Sequence, residues 1–363
     1  AASLDAAARA AAASDEGMAF HRRGDANLTL AGAARRVEAL YRAPYLAHAA
    51  MEPINCTARV ADGRVELWAP TQVPSFARAI AARVAGVPES NVTLHVTYLG
   101  GGFGRRLEVD VIGQAVRVAL ETGGRPVQLL WPREEDLTHD FYRPAGAALM
   151  QAGLDAQGRV QALKITSAGD AITPRFMERN APGLAGPLDL PDKTASEGLF
   201  DLPYDVPHQR IAHVATRSGV PVGNWRSVGH SHNAFFSESF VDELAHAAGR
   251  DPVAFLLSML EGLPRHAAVL KLVAEKAGWG APLPAGTARG VALHESFGSI
   301  VAQVVEASLA DGRPIVRRIV CAADVGTVVH PGIVVQQMES AIVFGLSAAL
   351  YGRVDIVASV VQQ

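Results

Sequence analysis

Tyr98-Leu-Gly-Gly-Gly-Phe-Gly-Arg-Arg106 is the stretch whose reading decides the fold. Upstream of it, Asn91-Val-Thr-Leu-His-Val-Thr97 alternates apolar and polar residues and predicts a strand, while Val109–Glu121 downstream carries helical spacing. Gly100, Gly101, Gly102 and Gly104 have no Cβ, so the backbone can take positive φ and approach a ligand within hydrogen-bond distance. A strand, a glycine turn and a helix N-terminus together suit an anion or a cofactor, and Arg105 and Arg106 add positive charge beside the turn. The run has neither the Gly-x-Gly-x-x-Gly spacing of a dinucleotide fold nor the Gly-Lys-Ser/Thr ending of a P-loop.

The surrounding composition narrows the possibilities. With 363 residues, 49% hydrophobic and 19% charged, the chain can bury a large core in two or three domains. A net charge of -3 and the lack of any long Lys/Arg run exclude a basic nucleic-acid footprint. Two cysteines, Cys56 and Cys321, are too few for a disulfide scaffold, a four-cysteine zinc site or an iron–sulfur cluster held within this chain. The opening Ala-Ala-Ser-Leu-Asp, broken by charge at Asp5 and Arg9, is not a signal peptide. The longest apolar run, Ala341–Tyr351, is too short to span a bilayer, so no transmembrane segment is expected. The two ends read as those of a piece cut from a longer protein.

The rest of the pattern mixes hairpins with helices and predicts an α+β fold rather than repeating βαβ units. Arg36–Tyr45 reads as a strand, Arg59–Trp68 as a hairpin turning at Asp62-Gly63, and Pro74–Val84 as a helix. Pro126–Trp131 reads as a short buried strand and Gly153–Ile165 as a second hairpin. Residues 170–205, rich in Pro, Gly, Asp and Arg, lack periodicity and read as a long loop. Ser231–Gly249 is an amphipathic helix with Phe236, Phe240, Val241, Leu244 and Ala248 on one face, and helices continue over Pro252–Met259 and His266–Ala277. Gly298–Glu306 and Arg313–Ala323 pair through an Asp311-Gly312 turn, and a last helix covers Pro331–Leu350.

Several runs match one family together: Met51–Thr57, Trp68–Gln72, Gly100–Arg106, Asn224–Asn233, Glu238–Ala245, Asp324–Pro331 and Gln337–Glu339. In this order they resemble the molybdenum-cofactor-binding large (beta) subunit of the xanthine dehydrogenase and aldehyde oxidase family, in the branch of isoquinoline 1-oxidoreductase. The resemblance implies a two-part molybdopterin-binding fold. Residues 1–35 would be the end of a preceding domain or a linker, 36–280 a first molybdopterin-binding domain, and 281–363 the start of a second. It also implies a molybdenum hydroxylase that oxidises an N-heteroaromatic ring or an aldehyde with water as oxygen source. The cofactor would be molybdenum on molybdopterin in its cytosine dinucleotide form. Electrons would pass to 2Fe-2S clusters in a small iron–sulfur partner subunit, and no protein side chain would ligate the metal. Relatives in this branch imply a periplasmic parent.

Carried over residue by residue, Gln72 resembles the glutamine that hydrogen-bonds an oxo ligand of molybdenum. Gly101, Gly102, Phe103 and Gly104, with Arg105 behind them, resemble the loop lying against the metal and the pterin. Arg226 falls where relatives place an arginine facing the substrate, and Gln337 resembles a glutamine that contacts the pterin. Two departures stand out. Arg106 and Leu107 replace the Lys-Glu pair of purine-oxidising relatives, which argues against a purine substrate. The Gly-x-Gly-Glu run that supplies the family's general base is not in this sequence, nor is a Gly-Gln-Gly pterin loop. The alternative is therefore a non-catalytic scaffold that binds part of the cofactor or the small subunit.

Blander readings compete at single positions. Gln72 can cap the helix after Pro74, and Arg226 can sit in an ion pair. His230-Ser-His232 can hydrogen-bond within a loop rather than hold a metal. Cys56 reads as a small buried apolar residue, and Phe235 and Phe236 as core packing. Glu52 either substitutes as a base or bonds nearby backbone.

Overall fold

The computed structural model describes residues 2–14, 17–185 and 192–362. In chain order the elements are α1 (Ala2–Ala13), β1 (Met18–Arg23), α2 (Ala26–Ala31), β2 (Arg35–Ala43), β3 (Asn55–Ala61), β4 (Arg64–Ala69), α3 (Pro74–Ala85), β5 (Val92–Val96), α4 (Asp110–Ala119), β6 (Val127–Leu130), α5 (Arg133–Thr138), β7 (Gly146–Leu154) and β8 (Val160–Asp170). There follow α6 (Thr173–Asn180), α7 (Lys193–Ser196), β9 (His208–Thr216), α8 (His230–Ala247), α9 (Pro252–Met259), α10 (Pro264–Ala277), β10 (Thr287–Ser296), β11 (Ser299–Ala310), β12 (Arg313–Asp324), α11 (Pro331–Leu350), β13 (Ile356–Val357) and β14 (Val360–Val361).

The architecture is α+β. A five-stranded sheet runs β1-β9-β8-β7-β2, a four-stranded sheet β5-β4-β3-β6, and a three-stranded meander β10-β11-β12. Their cores differ. One packs α3 and α4 on the small sheet, through Ala77, Ala81, Ile112, Ala115 and Val116 against Cys56, Ala58, Val65 and Leu67. The other packs α8, α9 and α10 between the five-stranded sheet and the meander, so Phe236, Phe240 and Leu270 share one apolar cluster with Ile165, Leu293 and Ile300.

Local chemistry sets the ends of many elements. Asp62-Gly63 and Asp311-Gly312 take positive φ and close the two hairpins. Gly86 and Gly278 cap α3 and α10 in the left-handed conformation. Asp251 caps α9, accepting the Ala254 N–H, and Pro252 opens its first turn.

Three expectations change on folding. Residues 1–35, read as a domain end or linker, contain β1, which pairs with β9 at the edge of the large sheet. Val127–Leu130 is an edge strand whose residues alternate between half-buried and exposed, since only β3 flanks it. Residues 170–205 contain short helices as well as loop. Asp192 organises them, accepting the N–H groups of Ile172, Thr173 and Thr194, and helices this short bury too little for a periodic signature; residues 186–191 lie outside the described chain. The last helix keeps its expected bounds, α11 running Pro331–Leu350. Its 20 residues reach the length and hydropathy of a bilayer span, yet it also carries Gln336, Gln337, Glu339 and Ser340 and rests Phe344 on Phe103 and Trp225.

Candidate functional site

The glycine run leaves β5 and crosses the mouth between the small sheet and α11. Gly101 (φ 109°), Phe103 (φ 53°) and Gly104 (φ 104°) are all left-handed, so the loop doubles back twice before the 3-10 turn Arg105–Leu107. A Cβ on Gly102 would stand 2.7 Å from Gln72 Oε1, and one on Gly104 would run into the Asn224 carbonyl. Contact with backbone and φ together require glycine at Gly104, whereas at Gly102 a Cβ would displace the Gln72 side chain.

Gln72, in the short connection between β4 and α3, reaches this loop. Its Oε1 accepts the Gly104 N–H at 3.1 Å. That bond fixes which end of the amide is oxygen and leaves Nε2 as a donor with no acceptor among the described residues. The N–H groups of Gly101, Gly102 and Phe103 also meet no acceptor among the described residues. The result is a set of neutral donors grouped on one loop and its glutamine.

Arg226 and Gln337, 111 positions apart in the chain, meet beside the Phe103 ring of the same loop. Arg226 Nη2 donates to Gln337 Oε1 at 3.2 Å, and Nη1 donates to Ser340 Oγ at 3.2 Å. Its guanidinium lies 6.0 Å from the centre of the Phe103 ring and 5.6 Å from that of Phe344, and these two rings stack at 4.7 Å. Burial lowers the Arg226 pKa from its ordinary value, and among the described residues no carboxylate pairs with it. Behind Arg226 a cavity of about 570 Å³ is lined by Arg143, Trp225, Ser231, Phe235 and Phe344, among others, with no Asp or Glu in its wall. Phe235 is thus half-exposed on this cavity, 53% accessible, while Phe236 alone fills the core.

The two arginines after the loop do not supply open charge beside it. Arg105 is 2% exposed and turned into the protein, forked onto both oxygens of Asp110 and with its Nε 3.1 Å from Asp140. Arg106 is 3% exposed and donates to the Gly101 carbonyl, the Glu52 carbonyl and Glu52 Oε2. Buried guanidinium groups need such acceptors, and once neutralised they serve as struts for the loop. Glu52 is likewise committed: Oε2 also accepts the Gly100 N–H at 2.8 Å and Oε1 accepts Asn55 Nδ2 at 2.9 Å. It clamps backbone and is not placed as a base.

The remaining candidates are structural. Burial pushes the Cys56 thiol up to about 12. His230 opens α8 and bonds His294 at 2.9 Å, and His232 is buried and kept neutral by desolvation. Among the described residues no three His, Cys, Asp or Glu side chains are placed to hold a metal ion. Motif reading missed two groups. One is His48 with Asp140, a buried pair whose members stand 92 positions apart. The other is Arg143, whose only signal is its place before Pro144.

Comparison with known proteins gives this geometry a family. Residues 11–258 match a molybdopterin cofactor-binding domain, and residues 266–357 match a second one. The chain is 36% identical over 330 residues to isoquinoline 1-oxidoreductase subunit beta of Brevundimonas diminuta, covering 89% of this chain and 41% of that protein. It is 31% identical to the membrane-bound aldehyde dehydrogenase (pyrroloquinoline-quinone) of Gluconacetobacter polyoxogenes, covering 87% of this chain and 44% of that one. It therefore spans about two fifths of the length of these relatives. Quinoline 2-oxidoreductase from Pseudomonas putida 86 has the same fold over 82% of this chain and 41% of its own, with a TM-score of 0.59 and 22% identity. Aldehyde oxidoreductase from Desulfovibrio gigas agrees over 85% and 37%, with a TM-score of 0.59 and 19% identity. By these two domain matches, and by its 36% identity to the Brevundimonas subunit, the chain belongs to the molybdopterin cofactor-binding domain family.

Proposed function

We propose that this chain is part of the catalytic large subunit of a molybdenum hydroxylase. Its substrate would be an N-heteroaromatic ring or an aldehyde. The observation that carries this reading is the convergence of Gln72, Gly102, Gly104, Arg226 and Gln337 on one mouth. The residues fit the group: the cradle offers neutral donors and no competing metal ligands, as suits a metal whose ligands come from an organic cofactor. Molybdopterin, in the cytosine dinucleotide form, would supply the two-electron redox centre.

The protein's own part follows from placement. Gln72 Nε2 and the N–H groups of Gly101–Phe103 hold oxygen acceptors that no charged side chain can approach. Gln337 and the Phe103–Phe344 stack close one side. Arg226, partly desolvated, turns its charge to the cavity and stabilises negative charge as it develops on substrate nitrogen or oxygen. Trp225, Phe235 and Phe344 give that cavity apolar walls for a flat or small substrate. No carboxylate lines it, so the base that accepts the proton lies outside the lining residues. Electrons would leave through 2Fe-2S clusters of a small partner subunit, as the similarity to a protein named subunit beta supports.

The deciding experiment is metal and pterin analysis of the full-length protein purified with its partner. Molybdenum and a pterin dinucleotide near one per large subunit support the enzyme. Their absence from a host able to make the cofactor leaves the scaffold reading.

A further inference from the structure

His48 lies between β2 and β3, is 4% exposed, and meets the proposed site through Trp225 and the Asn224 carbonyl. Its Nδ1 stands 2.9 Å from Asp140 Oδ2 and 3.0 Å from Oδ1, and its backbone N–H donates to the same carboxylate. Its Nε2 stands 2.7 Å from the Asn224 carbonyl. A carbonyl has no hydrogen to give, so Nε2 is the donor there. Burial alone would raise the Asp140 pKa, but His48 and Arg105 outweigh it and hold the carboxyl below its usual range. Asp140 already accepts the N–H groups of His48 and Phe141 and lies 3.1 Å from Arg105 Nε, so it is an acceptor toward Nδ1 too, and Nδ1 also donates. A ring that donates from both nitrogens is an imidazolium. Around it, His48 and Arg105 face Asp140, Arg105 also forks onto Asp110, and the Trp225 ring lies 4.9 Å from the imidazole.

The Asn224 carbonyl is a meeting point. The glycine loop leans on it at Gly104. Two residues later comes Arg226, and then Ser227 (φ 66°) and Val228 (φ 50°) take left-handed backbone. A β-branched residue there is strained and persists only where its surroundings impose the turn. We propose that His48 is the positioning residue for Arg226: its imidazolium, anchored on Asp140, pins the Asn224 carbonyl and so holds both the Arg226 turn and the glycine loop in register. The role of Arg226 toward substrate rests on the function proposed above; the pinning itself does not.

The test uses the full-length protein with its cofactor. A cavity of about 490 Å³ borders His48, Trp225 and Phe344, so small molecules can reach the space left by His48→Ala. In that variant, hydrogen exchange read by mass spectrometry is expected to speed up over residues 222–230 and 99–107 together, with β7 and β8 unchanged. With isoquinoline or benzaldehyde, whichever the wild type oxidises, kcat/KM is expected to fall on the order of 10- to 100-fold. Added imidazole restores protection and rate. Added 1-methylimidazole, which can donate from one nitrogen only, does not. Wild-type protection in the variant, or equal rescue by both compounds, overturns the proposal. Neutron diffraction of wild-type crystals needs no variant: deuterium on both nitrogens of His48 supports it, and deuterium on one overturns it. If neither substrate is oxidised by wild type, the exchange and neutron results still decide the pinning, and only the reading of Arg226 fails.

Discussion

Gln72 and Gly104 are joined by a single 3.1 Å hydrogen bond from backbone N–H to amide oxygen, and that bond turns the other end of the amide outward as a donor. Gln72→Glu keeps an acceptor for Gly104 and removes the donor. In the full-length enzyme it is expected to leave molybdenum content near wild type and to lower turnover at least tenfold, because a group outside the metal's own ligands tunes the centre more than it retains it. Metal analysis beside steady-state rates checks this. An unchanged rate removes Gln72 from the site.

Two neighbouring glycines should behave differently. Gly102→Ala collides only with the end of the Gln72 side chain, which can swing away, so the fold tolerates it and the site does not. Gly104→Ala places a Cβ on the Asn224 backbone at φ 104° and is expected to cost on the order of 3 kcal/mol or more of stability. Urea unfolding of both variants distinguishes the cases, and equal midpoints would mean that the loop yields freely.

Arg226→Ala removes the fork onto Gln337 and Ser340 and the charge over Phe103. Loss of a positioned charge is expected to lower kcat/KM by roughly 2–4 kcal/mol. Arg226→Lys keeps the charge but not the planar fork, and should recover only part of the loss. Full recovery by lysine would mean that charge alone matters.

Glu238 gives a pH prediction. Its carboxyl is fully buried between α8 and β10, taking the Tyr204 hydroxyl hydrogen and the Leu293 N–H. Desolvation is the largest influence and outweighs both hydrogen bonds, so its pKa rises from 4.5 to about 7. A folded pKa above the unfolded one means that this stability is complete below about pH 4.5 and fades as pH climbs through 7, by about 3 kcal/mol in all. Glu238→Gln can keep both contacts, accepting from Leu293 and donating to the Tyr204 oxygen. Its Tm should stay nearly flat from pH 5 to 8 where that of the wild type falls. Parallel curves would place the pH dependence elsewhere.

Local chemistry explains what the sequence made legible. The Asp62-Gly63 and Asp311-Gly312 turns announce their hairpins, and Pro331 with the apolar spacing after it marks α11. The glycine loop was legible as a cradle because close approach demands missing Cβ atoms. What escaped was long-range. Nothing near Met18 says that it will pair with His213, and the parallel partners of β5 and β9 are chosen by packing. Arg105 and Arg106 look like open charge until Asp110, Asp140 and Glu52 are seen to bury them. The His48–Asp140 pair carries no periodic signal, and its meaning appears only when Asn224 arrives from a third segment.

The Phe103–Phe344 stack joins a loop early in the chain to a helix near its end. During synthesis, Gln72 and the glycine loop leave the ribosome long before Gln337 and Phe344 exist. For that interval one wall of the mouth stands without its counterpart. The pairing of Phe103 with Phe344 is therefore among the last contacts the chain can make.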